Sequence, residues 1–257
     1  MIQQNNSLFK PIISSSLAGG LGYFSTLPLD YVKQHYQIGN KINLKKIGIR
    51  GLFRGGLIGS YSIMPQMCIK FTANDYLQRS TNWSPWINGF IAGYLDGSFL
   101  GPVLSLQSMK QMRSDYNYSE AIGKILRNPR QIISMSYPMA FRNALYTSVL
   151  FGGYRPLKNH NPFKIQNEFV NNLMVGSILN IPGSILCSPF DVLRANQVQL
   201  TLNKKKNTMI DVMQSIYRRD GIKGFYRGFG SFYLNFALRF PLTFAIYYEL
   251  LNYDFLK

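Results

Sequence analysis

The sequence predicts an all-α membrane protein: six transmembrane helices in three pseudo-threefold repeats, with short helices in the connections. Three observations predict it. The stretch Pro28-Leu29-Asp30-Tyr31-Val32-Lys33 recurs as Pro189-Phe190-Asp191-Val192-Leu193-Arg194, and each copy ends an apolar, glycine-bearing run. An aromatic-Arg-Gly triplet follows each copy, Phe53-Arg54-Gly55 and Tyr226-Arg227-Gly228, and each triplet opens a second apolar run. Basic residues gather between the two runs. Self-similarity at this spacing means a chain built by repetition.

The first helix is expected over 7–37, with Ala18-Gly19-Gly20-Leu21-Gly22 offering small residues for close helix contact. Pro28 should kink it, because a proline removes a backbone donor and crowds the preceding turn. The second helix is expected over 57–77. The third, over 86–112, carries Gly93, Gly97 and Gly101 ahead of Pro102. The fourth is expected over 133–157. The fifth, over 167–199, carries Gly176 and Gly183 ahead of Pro189. The sixth is expected over 229–253. Each is long enough for about 30 Å of hydrocarbon at a rise of about 1.5 Å per residue. Short amphipathic helices are expected near 118–126 and 209–217. The repeats span 7–80, 85–160 and 166–257, within one domain covering 1–257.

The net charge is +17, from 28 basic and 11 acidic residues, which implies anionic partners. Mean hydropathy is only −0.05. Polar connections and polar groups facing an internal cavity account for that low average, since polar residues at membrane depth must face water or another helix. Lys41, Lys45, Lys46, Arg50 and Arg54 lie in the first connection. Lys110, Arg113, Lys124, Arg127 and Arg130 lie in the second, and Lys204, Lys205, Lys206, Arg218, Arg219, Lys223 and Arg227 in the third. All three therefore fall on one side of the membrane, the positive one, with both termini on the other. Cys68 and Cys187 form no disulfide framework and no metal pattern. The stretch 1–10 reads as neither a secretory signal nor a transit peptide. His35 and His160 stand far apart, and no nucleophile, zinc or phosphate-loop motif is present, so neither an enzyme, a metal site nor a cofactor is expected. Nucleic acid is not expected as a partner either, because the aromatics fill the apolar runs.

The hexads, together with Asp220-Gly221-Ile222-Lys223-Gly224-Phe225-Tyr226-Arg227-Gly228, resemble the mitochondrial carrier family. The resemblance covers nearly the whole chain, strongly in repeats one and three and weakly in repeat two. It implies a mitochondrial inner-membrane carrier with short matrix helices, both termini facing the intermembrane space, and import without a presequence. It also implies a gate on the matrix side, in which the acidic residue of one hexad pairs with the basic residue of the next repeat. Here the acidic series reads Asp30, Leu104, Asp191 and the basic series Lys33, Gln107, Arg194. Asp191 with Lys33 is then the remaining ion pair. Asp30 with Gln107 is a hydrogen bond, and Leu104 leaves Arg194 without a carboxylate. Gln37 and Gln111 match the family's bracing glutamines. A cytoplasmic gate is implied at the far ends of the even helices: Asp75 with Asn252, Gln78 with Arg155, and Lys158 with Glu249. Both gates have lost charge in parallel, which keeps their strengths matched. Two states separated by a few kcal/mol can interconvert, with a bound solute tipping the balance.

By the same resemblance, binding residues lie midway along the even helices: Ser62, Arg142-Asn143 and Asn235. An arginine at membrane depth is costly to bury, and its planar fork suits a carboxylate. Arg142 is thus the leading ligand, the alternative being a structural ion pair. Arg239, one turn beyond Asn235, together with Lys70 and Asp96 supplies the other charges at that depth. With Arg142 they sum to about +2, a sign that attracts anions. The expected substrate is a small anionic metabolite, carboxylate or amino-acid-like, with a nucleotide or cofactor as the alternative. Gly55 and Gly228, beside Arg54 and Arg227, expose backbone amides at helix starts and suit the phosphate of an anionic lipid such as cardiolipin. A monomer is expected. The rival reading is a carrier-fold membrane adaptor that no longer transports.

Overall fold

The computed structural model of the chain describes residues 2–39, 44–113, 123, 129–160, 166–203 and 208–252. Long helices dominate: α1 (Ile2–Ser25), α2 (Leu27–Gln37), α4 (Gly56–Ser80), α5 (Pro85–Met112), α6 (Pro129–His160), α7 (Glu168–Leu202) and α9 (Phe229–Asn252). Shorter pieces lie in two connections: α3 (Leu44–Leu52), α8 (Met209–Asp220) and a 3-10 turn (Ile222–Tyr226). Among the described residues there is no strand. The expected short helix near 118–126 falls outside the described residues except for Gly123. The one near 209–217 is α8, and its start is a capping box. Thr208 accepts from the Asp211 amide at 3.3 Å, while its own amide and hydroxyl each donate to the Asp211 carboxylate at 2.8 Å. Those two bonds hold the Asp211 carboxyl below the ordinary range. The first connection, for which no short helix was expected, contains α3. Its two glycines argue against a helix, and Gly48 does break the helical path, at φ 66.

Helix one is interrupted where Pro28 predicts. The Thr26 amide turns back to Tyr23 at 3.1 Å, and the Thr26 hydroxyl donates to the Gly22 carbonyl at 3.1 Å. Helical backbone runs through Pro102 in α5 and Pro189 in α7 without such a break. A proline deletes one bond of the ladder, and flanking turns can carry the helix past it.

The helices close into a ring. α1 packs on α4, α4 on α5, α5 on α6, α6 on α7, α7 on α9, and α9 back on α1. Inside one end of that ring, α2 also reaches α5, α7 and α9. The hexads therefore converge at one level. The tightest seam is α5 on α6, where Gly89, Gly93, Gly97 and Gly101 form a bare stripe. A methyl group at Gly93 would stand 2.3 Å from the Asn143 carbonyl oxygen, and one at Gly97 would stand 2.5 Å from the Ala140 Cα. Small residues at every fourth position let two backbones touch, as helix pairs in lipid require.

Polarity is arranged inside out. Among the described residues, more polar and charged side chains than apolar ones are buried, including Lys33, Asp96, Gln107 and Asp191. Meanwhile Tyr61, Phe99, Ile181, Leu186, Leu234 and Leu238 face outward and exposed. Water-soluble folds do the reverse. One helix among the described residues, α5, is both long and apolar enough to meet a membrane-span criterion of length and hydropathy. Buried polar groups dilute the hydropathy of the other long helices.

Replacing Gly97 by Leu should force α5 and α6 apart and cost at least about 1–3 kcal/mol of stability. Gly230→Ala, where an added methyl meets nothing within 4 Å, should be neutral within about 0.5 kcal/mol. Thermal unfolding of the purified proteins in detergent checks the pair.

Candidate functional site

The convergence of α2, α5 and α7 brings the hexads together around Asp191. That carboxylate is 1% exposed. Lys33 stands 3.1 Å away, Arg142 2.9 Å and Arg194 3.8 Å, and the Gln37 amide donates to it at 2.8 Å. The pairing of Asp191 with Lys33 is the one the hexads imply, with Gln37 beside it. Lys33 also bridges to Asp30 on its own helix at 2.9 Å.

Asp30 and Gln107 do not bond directly. Tyr23 lies between them, donating its hydroxyl to Asp30 at 3.3 Å and accepting from the Gln107 amide. Gln34 donates to Asp30 at 3.0 Å and also to Gln111. Arg194 does not lack partners. Besides Asp191 it donates to the Leu104 carbonyl at 2.9 Å and to the Ser108 hydroxyl. The backbone of the position that lost its carboxylate thus receives the cation. Tyr23, Gln34 and Ser108 were not legible as site residues. Tyr23 lies seven residues ahead of Asp30, two helical turns away on the same face, but within an apolar run its hydroxyl had no legible partner.

Arg142 takes the arrangement of a structural ion pair. One nitrogen is on Asp191 and two more reach the neighbouring Asn143 side chain, at 3.1 and 2.9 Å. Asn143 in turn donates to Asp96 at 2.9 Å. Asp96 is fully buried and also receives Lys70 at 3.3 Å and Gln66 at 3.2 Å, leaving its Oδ1 without a partner. One continuous chain of polar contacts therefore runs from Lys70 through Asp96, Asn143 and Arg142 to the hexads.

Arg239 lines the same cavity as Asp30 but is in no ion pair: among the described residues no carboxylate lies within 4.0 Å of it. Its Nε donates to the Thr26 hydroxyl at 3.0 Å, and its guanidinium stacks on Tyr23 at 4.5 Å and Phe236 at 5.6 Å. Asn235 braces the same break, donating to the Thr26 carbonyl at 3.1 Å.

Between these groups lies a central cavity of about 40 Å³, lined by Asp30, Lys33, Gln66, Arg142, Arg194 and Arg239 among others. That volume holds a few waters and is too small for a metabolite. Arg142 and Arg239 line it. Ser62 and Asn235 are buried beside it, with Ile63 and Gln66 taking the lining positions on α4.

At the far end of the ring the expected pairings are absent or undescribed. Asp75 pairs with Arg79 of its own helix at 2.9 Å, both well exposed. Gln78 and Arg155 do not bond to each other. Lys158 lies 5.9 Å from the Tyr154 ring. The side chains of Glu249 and Asn252 fall outside the described residues.

At the starts of α4 and α9, Gly55 and Gly228 adopt φ of 77 and 73, a left-handed conformation that disfavours other residues. Both are also crowded: a methyl group would stand 3.2 Å from the Gln107 carbonyl oxygen at Gly55 and 3.2 Å from the Tyr36 Cβ at Gly228. Arg227 bonds Asp220 at 3.1 Å.

A family model described as mitochondrial carrier protein matches residues 4–85 and 166–253. The chain belongs to the mitochondrial carrier family. The match omits the second repeat, where Leu104 and Gln107 replace the hexad charges. The mitochondrial aspartate-glutamate transporter of Saccharomyces cerevisiae is 25% identical over 95% of this chain but only 33% of its own length. A mitochondrial adenyl nucleotide antiporter of Mus musculus is 22% identical over 95% of this chain and 58% of its own. The mitochondrial 2-oxodicarboxylate carrier 2 of Saccharomyces cerevisiae is 24% identical, covering 89% of this chain and 90% of its own. The chain thus spans about a third and somewhat over half of the first two carriers.

Tyr23→Phe should cost about 1–3 kcal/mol, because it strips Gln107 of an acceptor and Asp30 of a donor inside the bundle. Thermal unfolding measures this, and Phe24→Tyr, on the exposed side, serves as a control with little expected effect.

Proposed function

We propose that the chain carries a small anionic metabolite across the mitochondrial inner membrane by alternating access. The supporting observation is the buried network at Asp191, which ties three helices together at one end of the ring directly beside a cationic cavity. At the other end Asp75 and Arg155 are exposed. This is the arrangement of a carrier shut toward the matrix. In this reading Asp30, Lys33, Gln107, Asp191, Arg194, Gln37 and Gln111 form the matrix gate. Asp75, Gln78, Arg155, Lys158, Glu249 and Asn252 belong to the opposite one, and both termini face the intermembrane space.

Arg142 and Arg239 are the anion ligands, with Asn143, Asp96 and Lys70 positioning them and Ser62 and Asn235 flanking the site. A carboxylate or amino-acid-like substrate fits two arginine forks. The names of the similar aspartate-glutamate and 2-oxodicarboxylate carriers agree with that class, and those of the nucleotide antiporters keep a nucleotide as the alternative. The protein acts as a monomer. Arg54, Gly55, Arg227 and Gly228 receive an anionic lipid, cardiolipin in this membrane.

A membrane adaptor that has lost transport is the second reading. The observation favouring it is the missing charge of repeat two, with Arg142 held by Asp191. Uptake into liposomes separates the two. Screening labelled metabolites should identify a transported anion, and Arg142→Ala should abolish its uptake. Leu104→Asp combined with Gln107→Lys should strengthen the matrix gate and slow turnover about fivefold, the equivalent of ~1 kcal/mol from a restored pair. Unaltered uptake in Arg142→Ala removes that residue from the site, and unaltered turnover in the double variant removes the gate assignment.

A further inference from the structure

The buried and half-buried charges around the cavity do not balance. Asp30, Asp96 and Asp191 are the buried carboxylates there. Lys33, Lys70 and Arg142 pair with them. Arg194 shares Asp191 at a longer distance, and Arg239 pairs with none. Among the described residues the cations at this level exceed the carboxylates by two. Excess charge shielded from water is costly unless a counter-charge enters with it. An anion of charge −2 would cancel the excess, whereas a monoanion would leave half of it.

The two arginines are not equivalent. The Arg239 guanidinium is held between two rings, and its Nη2 is buried with no partner. It is a preformed receptor with an unfilled edge. The Arg142 guanidinium is already on a carboxylate, that of Asp191 at 2.9 Å. It lies against the same Phe236 ring as Arg239, at 6.0 Å against 5.6 Å for Arg239. A short solute reaching both would have to take Arg142 from Asp191.

We propose that the site takes a short organic dianion, one anionic group on Arg239 and the other on Arg142, and that Arg142 passes from Asp191 to the substrate as it binds. This rests on the carrier reading and names its substrate class. It makes Arg142 a transferable ligand. While on Asp191 it helps to hold the matrix end shut. Once on the substrate, it leaves Asp191 with one partner fewer. A monoanion satisfied by Arg239 alone would bind without loosening that end. Arg142 gives the matrix end a cation from repeat two, where Gln107 offers none, because it comes from α6, the second helix of that repeat.

The test uses the full chain in liposomes with glutarate, its monoamide glutaramate, and butyrate at neutral pH, where glutarate carries two charges and the others one. Labelled glutarate should be taken up. Glutaramate and butyrate should compete at least about tenfold more weakly, the loss of one charge pair of about 1.4 kcal/mol, and should not themselves be carried. In binding to the purified protein, Arg142→Gln should bring glutarate and glutaramate within about twofold of each other, and Arg142→Lys, which keeps the charge, should restore the preference for glutarate. Binding is read as a shift in unfolding temperature, without transport. Equal uptake of glutarate and glutaramate by the unaltered protein overturns the proposal, as does a glutarate preference surviving in Arg142→Gln. Uptake of a monoanion or a nucleotide with no response to glutarate also overturns it, while leaving the carrier reading in place. No uptake of any solute sinks both.

Discussion

Asp191 is a carboxylate at 1% exposure with three cations and an amide around it. A buried ion stripped of its partners costs several kcal/mol, so the helices bearing those partners are held to it. Lys33 and Gln37 bring α2, Arg142 brings α6, and Arg194 keeps its own helix in register. The convergence at one end of the ring follows from this, and so does the collapse of the cavity to about 40 Å³. The central space is small because Asp191 draws Lys33, Arg142 and Arg194 together beside it.

The second repeat shows how such a network tolerates lost charge. Leu104 offers no carboxylate, yet its backbone carbonyl receives Arg194 at 2.9 Å. Gln107 offers no cation, and the hydroxyl of Tyr23 bridges the gap to Asp30. Hydrogen bonds with one charged member replace ion pairs and still give the buried Arg194 and Asp30 side chains partners. The same repeat compensates by close packing, its glycine stripe seating α5 directly on the backbone of α6.

Much of the architecture was legible because it repeats. The paired hexads and triplets placed the long helices to within a few residues, and Pro28 marked the break in helix one. α3 was hidden because glycines at 48 and 51 disfavour a helix, and one of them does break its helical path. The pairing of Asp191 with Lys33 was legible through the resemblance to the carrier family, which pairs the acidic residue of one hexad with the basic residue of the next repeat. The attachment of Arg142 to Asp191 was not. Those residues are 49 apart in the chain and meet only after α6 and α7 pack. Tyr23 was missed for a related reason: a tyrosine on an apolar run reads as core until a nearby carboxylate and amide give its hydroxyl a purpose.

A double-mutant cycle on Lys33 and Asp191 probes this centre most directly. Lys33→Ala takes one cation from the buried Asp191, and Asp191→Ala leaves Lys33 with Asp30 alone, while the double variant removes both charges together. Thermal unfolding of the four proteins should show coupling of about 1–3 kcal/mol, the double variant losing less than the two singles combined. Simple additivity would mean that the two side chains act independently, and that the closed end of the ring is held by something other than their contact.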